Sequence, residues 1–245
     1  MNNLSLSLII SAYNEASIIE DCVQTCIDSL SVHFNDYELI LINDASSDNT
    51  GHIMDTFAAN PNITVLHNTT NLNMGASIQR GMAIATKDYF TFNAADLPFD
   101  PDKYKEVIEQ APDADMIVVE RIKYKGTTNW RRLSSVLNRA IMCVLFPRLK
   151  RGIHDTNYLQ ITRKTALSQI MPLAKGPVFT WPEMIFRARY AGLKVETVEA
   201  EYSPKHERKG AFGKPHDITW ALREMLRFRL YLWFGFHPKR KEPLS

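Results

Sequence analysis

The sequence predicts an α/β fold built on a mostly parallel central sheet with helices on its faces. Two observations carry that prediction. Short β-rich apolar runs alternate with stretches of helical periodicity, as in sheets whose parallel strands are joined by crossover helices. Three of those runs also break abruptly into clusters of Asp, Asn, Ser and Glu, within residues 7–15 (SLIISAYNE), 39–50 (LILINDASSDNT) and 89–97 (YFTFNAADL). In an open α/β sheet such polar clusters fall at the carboxyl ends of neighbouring strands, where ligands bind.

The elements follow in order. Residues 4–11 form an apolar run bounded by polar residues, a buried strand. After Asn14, apolar side chains recur at Ile18, Ile19, Cys22, Val23, Cys26, Ile27 and Leu30, which is helical spacing. Residues 38–42 make a second strand, and Asp48 stands as the N-cap of a helix running to about 59. Residues 64–66 are a short third strand, 75–85 a helix, and 89–92 a fourth strand. A helix over 101–110 leads to a fifth strand at 116–119. In residues 129–146, Trp130, Leu133, Leu137, Ala140, Ile141, Val144 and Leu145 form one apolar face, with Arg131, Arg132, Ser135, Asn138 and Arg139 opposite. Pro147 ends that helix. A last helix starts at Asp217 and runs to 236, rich in aromatics but interrupted by Arg223, Arg227 and Arg229. No internal repeat or low-complexity tract is present.

Composition sets the bounds. The chain has 245 residues, 45% hydrophobic and 23% charged, enough for a full core. The net charge of +2 hides an asymmetry: from Arg121 to Arg151 there are nine Lys or Arg residues and no acid. Cys22, Cys26 and Cys143 show no metal-ligand spacing and read as thiols in a reducing compartment. The N-terminus lacks the basic stretch of a signal peptide. No apolar run approaches the roughly 20 residues of a membrane-spanning helix. The expectation is a cytoplasmic protein. The basic, amphipathic helices either pack on the sheet or lie on a membrane surface, and the acid-free stretch favours the membrane. No RNA-reading motif appears, so nucleic acid is not an expected partner. The oligomeric state is left open.

Asp44 stands at the end of the second strand, where a carboxylate can accept an N–H from a ligand. Gly75, in residues 73–81 (NMGASIQRG), permits close approach of backbone to a ligand. Arg80 either faces a diphosphate or is a solvated helix residue. A divalent cation needs several oxygen ligands, often carboxylates plus substrate phosphates. Asp96 is placed for one, whereas Asn93 is not, because adjacent strand residues point to opposite faces. The basic stretch 205–214 (KHERKGAFGK) is either a phosphate clamp or a surface turn.

These segments resemble glycosyltransferase family 2, whose members have the GT-A fold. Within it the chain is most similar to dolichyl-phosphate mannose synthases and bacterial polyprenyl-phosphate glycosyltransferases. Tyr13-Asn14-Glu15 resembles the family's Y-N-E, and residues 43–50 its D-D-G-S-x-D-x-T. The resemblance implies a nucleotide site of Ala12, Tyr13, Glu15, Asp44, Gly75 and Asp96. It implies a Mg or Mn ion held at Asp96, but relatives commonly read D-A-D-L-Q where this chain has Ala94-Ala95-Asp96-Leu97-Pro98, so one carboxylate is lost. Residues 154–160 (HDTNYLQ) resemble D-x-x-x-G-F-R, which places Asp155 near the sugar and acceptor, with Leu159 and Gln160 departing from the pattern. Residues 181–187 resemble an E-M-x-x-R-A helix, with Glu183 at the acceptor or capping its own helix. Arg208 and Lys214 match a phosphate-closing R-x-x-G-x-S-K loop with altered spacing.

The implied reaction is inverting transfer of a sugar from a UDP- or GDP-sugar to a polyprenyl or dolichyl phosphate at the inner face of a membrane. Residues 1–215 would form the GT-A domain, 1–120 holding nucleotide and 121–215 the acceptor, with 216–245 an amphipathic helix and basic tail. Two alternatives stay open. One is transfer to a glycan hydroxyl, with Asp155 or Glu183 as base. The other is a catalytically silent nucleotide-sugar or membrane-binding module.

Overall fold

The computed structural model describes residues 4–122, 129–176, 178–202, 205 and 215–234. In chain order these give β1 (Ser5–Ala12), α1 (Ile19–His33), β2 (Asp36–Asn43), α2 (Thr50–Thr56), β3 (Ile63–His67), α3 (Asn73–Ile84) and β4 (Tyr89–Asn93). A 3-10 turn at Pro101–Lys103 leads into α4 (Tyr104–Gln110), then β5 (Met116–Ile122), α5 (Asn129–Leu145) and α6 (Pro147–Lys150). The chain continues through β6 (Leu159–Arg163), α7 (Leu167–Ile170), α8 (Thr180–Tyr190), β7 (Val195–Glu201) and α9 (Pro215–Phe234).

One seven-stranded sheet runs in the order β3-β2-β1-β4-β6-β5-β7. All neighbours are parallel except β6, which is antiparallel to both β4 and β5. The chain winds from β1 outward to β3, then crosses back to lay β4 on the other side of β1. That reversal opens a crevice beyond the carboxyl ends of β1 and β4.

Strand alternation divides the core in two. Leu6, Leu8 and Ile10 of β1, with Leu39 and Leu41 of β2 and Ile117 and Val119 of β5, face α1 and α4. Their neighbours Ile9, Ile40, Ile42, Met116 and Val118 face α3, α8 and α9. The sheet is buried on both sides, which is why its strands read as continuous apolar runs. β6 and β7 were not anticipated. β6 is five residues long and begins at the end of the stretch matched to the acceptor segment. β7 is an edge strand whose buried Val198 and Ala200 alternate with exposed Glu199 and Glu201, charges that keep an edge from pairing with other chains.

The C-terminal helix is not a detached appendage. Ala221, Met225 and Phe228 of α9 are buried in the second core, and Phe228 packs 5.6 Å from the Phe146 ring. Its other side leaves Leu226, Leu230, Trp233 and Phe234 exposed, as α5 does Val136, Leu137 and Val144. Among the described residues no helix is long and apolar enough to cross a membrane.

Candidate functional site at the strand ends

The register aligns Ala12 with Asn43 and Ile10 with Asn93, so the polar segments after β1, β2 and β4 emerge at one edge. Asp44 N–H donates to the Ala12 carbonyl at 2.9 Å, extending the ladder one step into the loops. Among the described residues, the non-glycine positions with positive φ are Asn14 (55°), Ala45 (59°), Asn73 (68°) and Leu97 (46°). Each lies in a loop or helix start at this edge. Left-handed backbone is costly for Ala and Leu and persists only where the surroundings over-determine it.

For the loops after β1 and β2, cross-loop hydrogen bonds supply that determination. Asn14 N–H donates to Ser46 Oγ at 3.0 Å, and Ser47 N–H to Asn14 Oδ1 at 2.8 Å. Glu15 N–H donates to Thr50 Oγ1 at 2.8 Å, and Ala16 N–H to Asp48 Oδ2 at 3.1 Å. Asp48 therefore ties the first loop to the second besides accepting from Thr50 N–H, next to the helix start. Slight burial works against its ionisation. The Thr50 hydroxyl and the N–H donors outweigh it and hold the carboxyl below its ordinary value. Tyr13 stays 46% exposed at the rim.

Asp44 is buried, and its Oδ1 accepts from Asn68 Nδ2 at 2.6 Å and from Leu72 N–H at 2.8 Å. Arg80 is exposed, as expected of a solvated helix residue, and it donates to Asn68 Oδ1 and to the His67 carbonyl. Asn68 and Leu72 were not singled out from the sequence. A signal existed, because β3 also breaks into a polar cluster, His67-Asn68-Thr69-Thr70-Asn71, as the three recognised strands do.

Gly75 is required by packing. A Cβ there would meet the Lys175 carbonyl oxygen and Thr180 Oγ1, each at 2.5 Å. At the end of β4, Asn93 turns its amide inward, donating to the Phe99 carbonyl and the Tyr104 phenol oxygen at 2.8 Å each. It is unavailable as a metal ligand, as alternation predicted. Ala94 offers no ligand and Asp96 is the carboxylate of the loop. Among the described residues no group of three or more His, Cys, Asp or Glu is arranged to hold a metal ion. These described residues alone do not complete a cation site, which needs several oxygen ligands. The Asp96 carbonyl accepts from Lys205 N–H at 3.1 Å, and Lys205 Nζ reaches Asp21 at 2.8 Å and Thr25 Oγ1 at 2.7 Å. The basic stretch thus begins against this loop, while Arg208 and Lys214 lie outside the described residues.

The second-half candidates are brought to the sheet but are already engaged. Asp155 forms a two-pronged pair with Arg121, whose Nη2 lies 3.1 Å from Oδ1. The same guanidinium lies over the Tyr158 ring at 5.2 Å and the Tyr202 ring at 5.7 Å. Burial pushes the Tyr158 phenol well above its ordinary value, and its hydroxyl donates to the Pro98 carbonyl at 2.7 Å. Gln160 is buried and donates to the Trp181 carbonyl at 2.9 Å, which leaves no phosphate contact from this position. Glu183 is 1% exposed and accepts from Leu173 N–H (2.9 Å), Ala174 N–H (2.8 Å) and Arg187 Nε (2.7 Å). The expectation that it faces an acceptor as a base is corrected: three donors fix it as the anchor of the turn before α8. Glu224 of α9 completes the turn, accepting from Lys175 N–H at 2.8 Å and Gly176 N–H at 3.0 Å.

The sequence profile of the glycosyl transferase family 2 matches residues 7–171. The chain belongs to glycosyl transferase family 2. Glycosyltransferase AglD of Haloferax volcanii is 25% identical over 213 residues, covering 84% of this chain and 34% of the relative. An undecaprenyl-phosphate 4-deoxy-4-formamido-L-arabinose transferase of Enterobacter sp. is 26% identical over 140 residues, covering 56% of this chain and 42% of the relative. The family 2 chain thus spans about a third of AglD and less than half of the arabinose transferase. Among solved structures, glucosyl-3-phosphoglycerate synthase of Mycobacterium tuberculosis in complex with UDP superposes with a TM-score of 0.68 at 17% identity, covering 92% of this chain and 80% of that one. The same synthase with Mn2+, UDP and glucosyl-3-phosphoglycerate gives 0.65 at 18% identity, over 96% and 82%. The fold is GT-A, a mostly parallel sheet flanked by helices.

Proposed function

We propose that this family 2 domain transfers a sugar, with inversion, from a nucleotide diphosphate to a polyprenyl or dolichyl phosphate at a membrane surface. The observation that carries the choice of acceptor is the state of the two candidate bases. Asp155 is neutralised by Arg121, and Glu183 already accepts three hydrogen bonds. A hydroxyl acceptor needs a positioned base, whereas a phosphate, with its second pKa near 6 (about 6 in phosphoamino acids), arrives ionised. Its oxygen would attack the anomeric carbon as the bond to the donor diphosphate breaks, and the nucleoside diphosphate would leave. Catalysis then rests on positioning and on stabilising the departing charge.

In this reading Asp44, Tyr13, Glu15 and the Ala12 and Gly75 backbones hold the nucleoside, and Arg208 and Lys214 the phosphates. A Mg or Mn ion, if used, is shared between Asp96 and the diphosphate. Asp155 shapes the acceptor end through Arg121. The exposed Val136, Leu137 and Val144 of α5 and Leu226, Leu230, Trp233 and Phe234 of α9 support contact with a lipid surface on the cytoplasmic side, as does the basic residue content around them. The arabinose-transferase relative, named for undecaprenyl phosphate, supports this class of acceptor.

The test is incubation with radiolabelled UDP- and GDP-sugars and a short-chain prenyl phosphate, with prenol and oligosaccharides as controls. Label on the prenyl phosphate alone is expected. Turnover on a saccharide with none on prenyl phosphate would sink the proposal. Nucleotide binding without any donor breakdown would favour the silent module, for which Ala94 and Pro98 are the specific argument.

A further inference from the structure

Asp44 is held so that one of its two oxygens is already taken. Oδ1 accepts from both Asn68 Nδ2 and Leu72 N–H, at 2.6 and 2.8 Å. Asn68 cannot turn over to offer its own oxygen instead. Arg80 of α3, which carries only donors, binds Asn68 Oδ1, while Asn68 Nδ2 also reaches Ser77 Oγ at 2.8 Å. Arg80 is fixed in turn by the His67 carbonyl at 3.2 Å. Among the described residues no hydrogen bond goes to Asp44 Oδ2. Asp44 and Asn68 are 3% and 5% exposed, so turning the carboxylate away would break its bond to the buried Asn68 amide where no solvent replaces it, and the bond to Leu72 N–H with it. The side chain therefore offers a ligand one acceptor in a fixed place, not a two-pronged fork.

We infer that this lock selects a nucleobase with a single imide N–H, uracil or thymine, over guanine. Guanine presents two parallel donors, N1–H and the exocyclic amine, and they are best met by both oxygens of one carboxylate. Uracil presents one N–H, which Oδ2 alone satisfies. Asn68 and Arg80 are positioning residues: they touch no base and act by denying Oδ1 to it. The inference rests on the reading of Asp44 as the base-binding residue and narrows the donor to a uridine or thymidine diphosphate sugar.

Calorimetric titration of the wild-type chain with UDP, TDP and GDP tests it. UDP and TDP share the imide edge, and the tighter of the two is expected to exceed GDP by roughly tenfold or more, the scale of one hydrogen bond to a charged group. GDP binding as tightly as both, or tighter, would overturn the inference while leaving a nucleotide site intact. No binding by any of them would overturn both the inference and the reading beneath it. Asn68→Ala and Arg80→Ala separate selection from general damage. Each is expected to weaken UDP and to narrow the UDP-to-GDP ratio, because Asn68→Ala removes one of the two donors on Oδ1 and Arg80→Ala frees the Asn68 amide to turn away, leaving only Leu72 N–H and room for a second donor. Equal losses for both nucleotides would show that Asn68 and Arg80 merely support the fold, and would overturn their role in selection. The wild-type comparison stands even if either variant fails to fold.

Discussion

The loops at the strand ends and the turn at residues 173–176 hold awkward backbone by opposite means. In the loops after β1 and β2, left-handed Asn14 and Ala45 are held by short side chains, with Asn14, Ser46, Asp48 and Thr50 each accepting a backbone N–H from the facing loop. At the turn, four successive N–H groups are gathered by two long carboxylates from separate helices. Glu183 of α8 takes 173 and 174, and Glu224 of α9 takes 175 and 176. The turn then presses on α3, where Lys175 and Thr180 leave room only for Gly75 and Gln79 donates to the Ala174 carbonyl at 2.6 Å. A cluster of small polar residues made the first region recognisable. The second depends on glutamates that look like ordinary helix residues, and it links the C-terminal helix to the helix that carries Arg80.

The contrast can be broken most forcefully at Glu183. Glu183→Ala leaves two buried N–H groups and Arg187 without their carboxylate, and about 3–5 kcal/mol of stability is expected to go. Urea denaturation measures it, and a loss within error of zero would mean the turn holds itself. Asp44→Asn attacks the first region instead. The fold should persist while UDP binding weakens by about 10- to 100-fold, the loss of a hydrogen bond to a charged group. An unchanged dissociation constant would remove Asp44 from the site.

Ala94→Asp sharpens the comparison by restoring a carboxylate beside Asp96. UDP binding in the presence of Mn2+ should tighten by roughly tenfold, with little change when metal is chelated. A tightening independent of metal would argue against an ion at this loop. The smallest effect concerns Glu224, whose carboxyl is pushed above its ordinary value by burial, against the hydrogen bonds it accepts. The folded chain therefore holds this proton more tightly than the unfolded chain, and stability falls as pH rises from the ordinary to the raised value. Glu224→Gln should flatten that part of a stability-versus-pH curve. A wild-type curve already flat there would contradict the shift.

Much of the first half was legible because its signals are local. Apolar runs and helical periodicity located β1 to β5 and the helices between them to within a few residues. Alternation pointed the Asn93 side chain away from the Asp96 side, but its partners, the Phe99 carbonyl and the Tyr104 phenol, were not foreseen. β6 and β7 were missed for a physical reason: five residues ending in Thr-Arg and a strand studded with glutamates gain strand character from their neighbours rather than from propensity. Site residues divided in the same way. Asp44 was found from its place after a strand, whereas Asn68, Leu72 and Lys205 act on it or on Asp96 across long loops. Glu183 and Asp155 were found as residues but their partners were not, since Leu173 and Arg121 are matched to them only by packing.

By itself the sequence determined that a parallel sheet would gather polar loops at one edge, because side-chain period and strand-end composition are properties of contiguous residues. Only the tertiary structure decided what each carboxylate there is free to do. A carboxylate's chemistry depends on which donors reach it, and for Asp44, Asp155, Glu183 and Glu224 donors come from as far as 28, 34, 10 and 49 residues away.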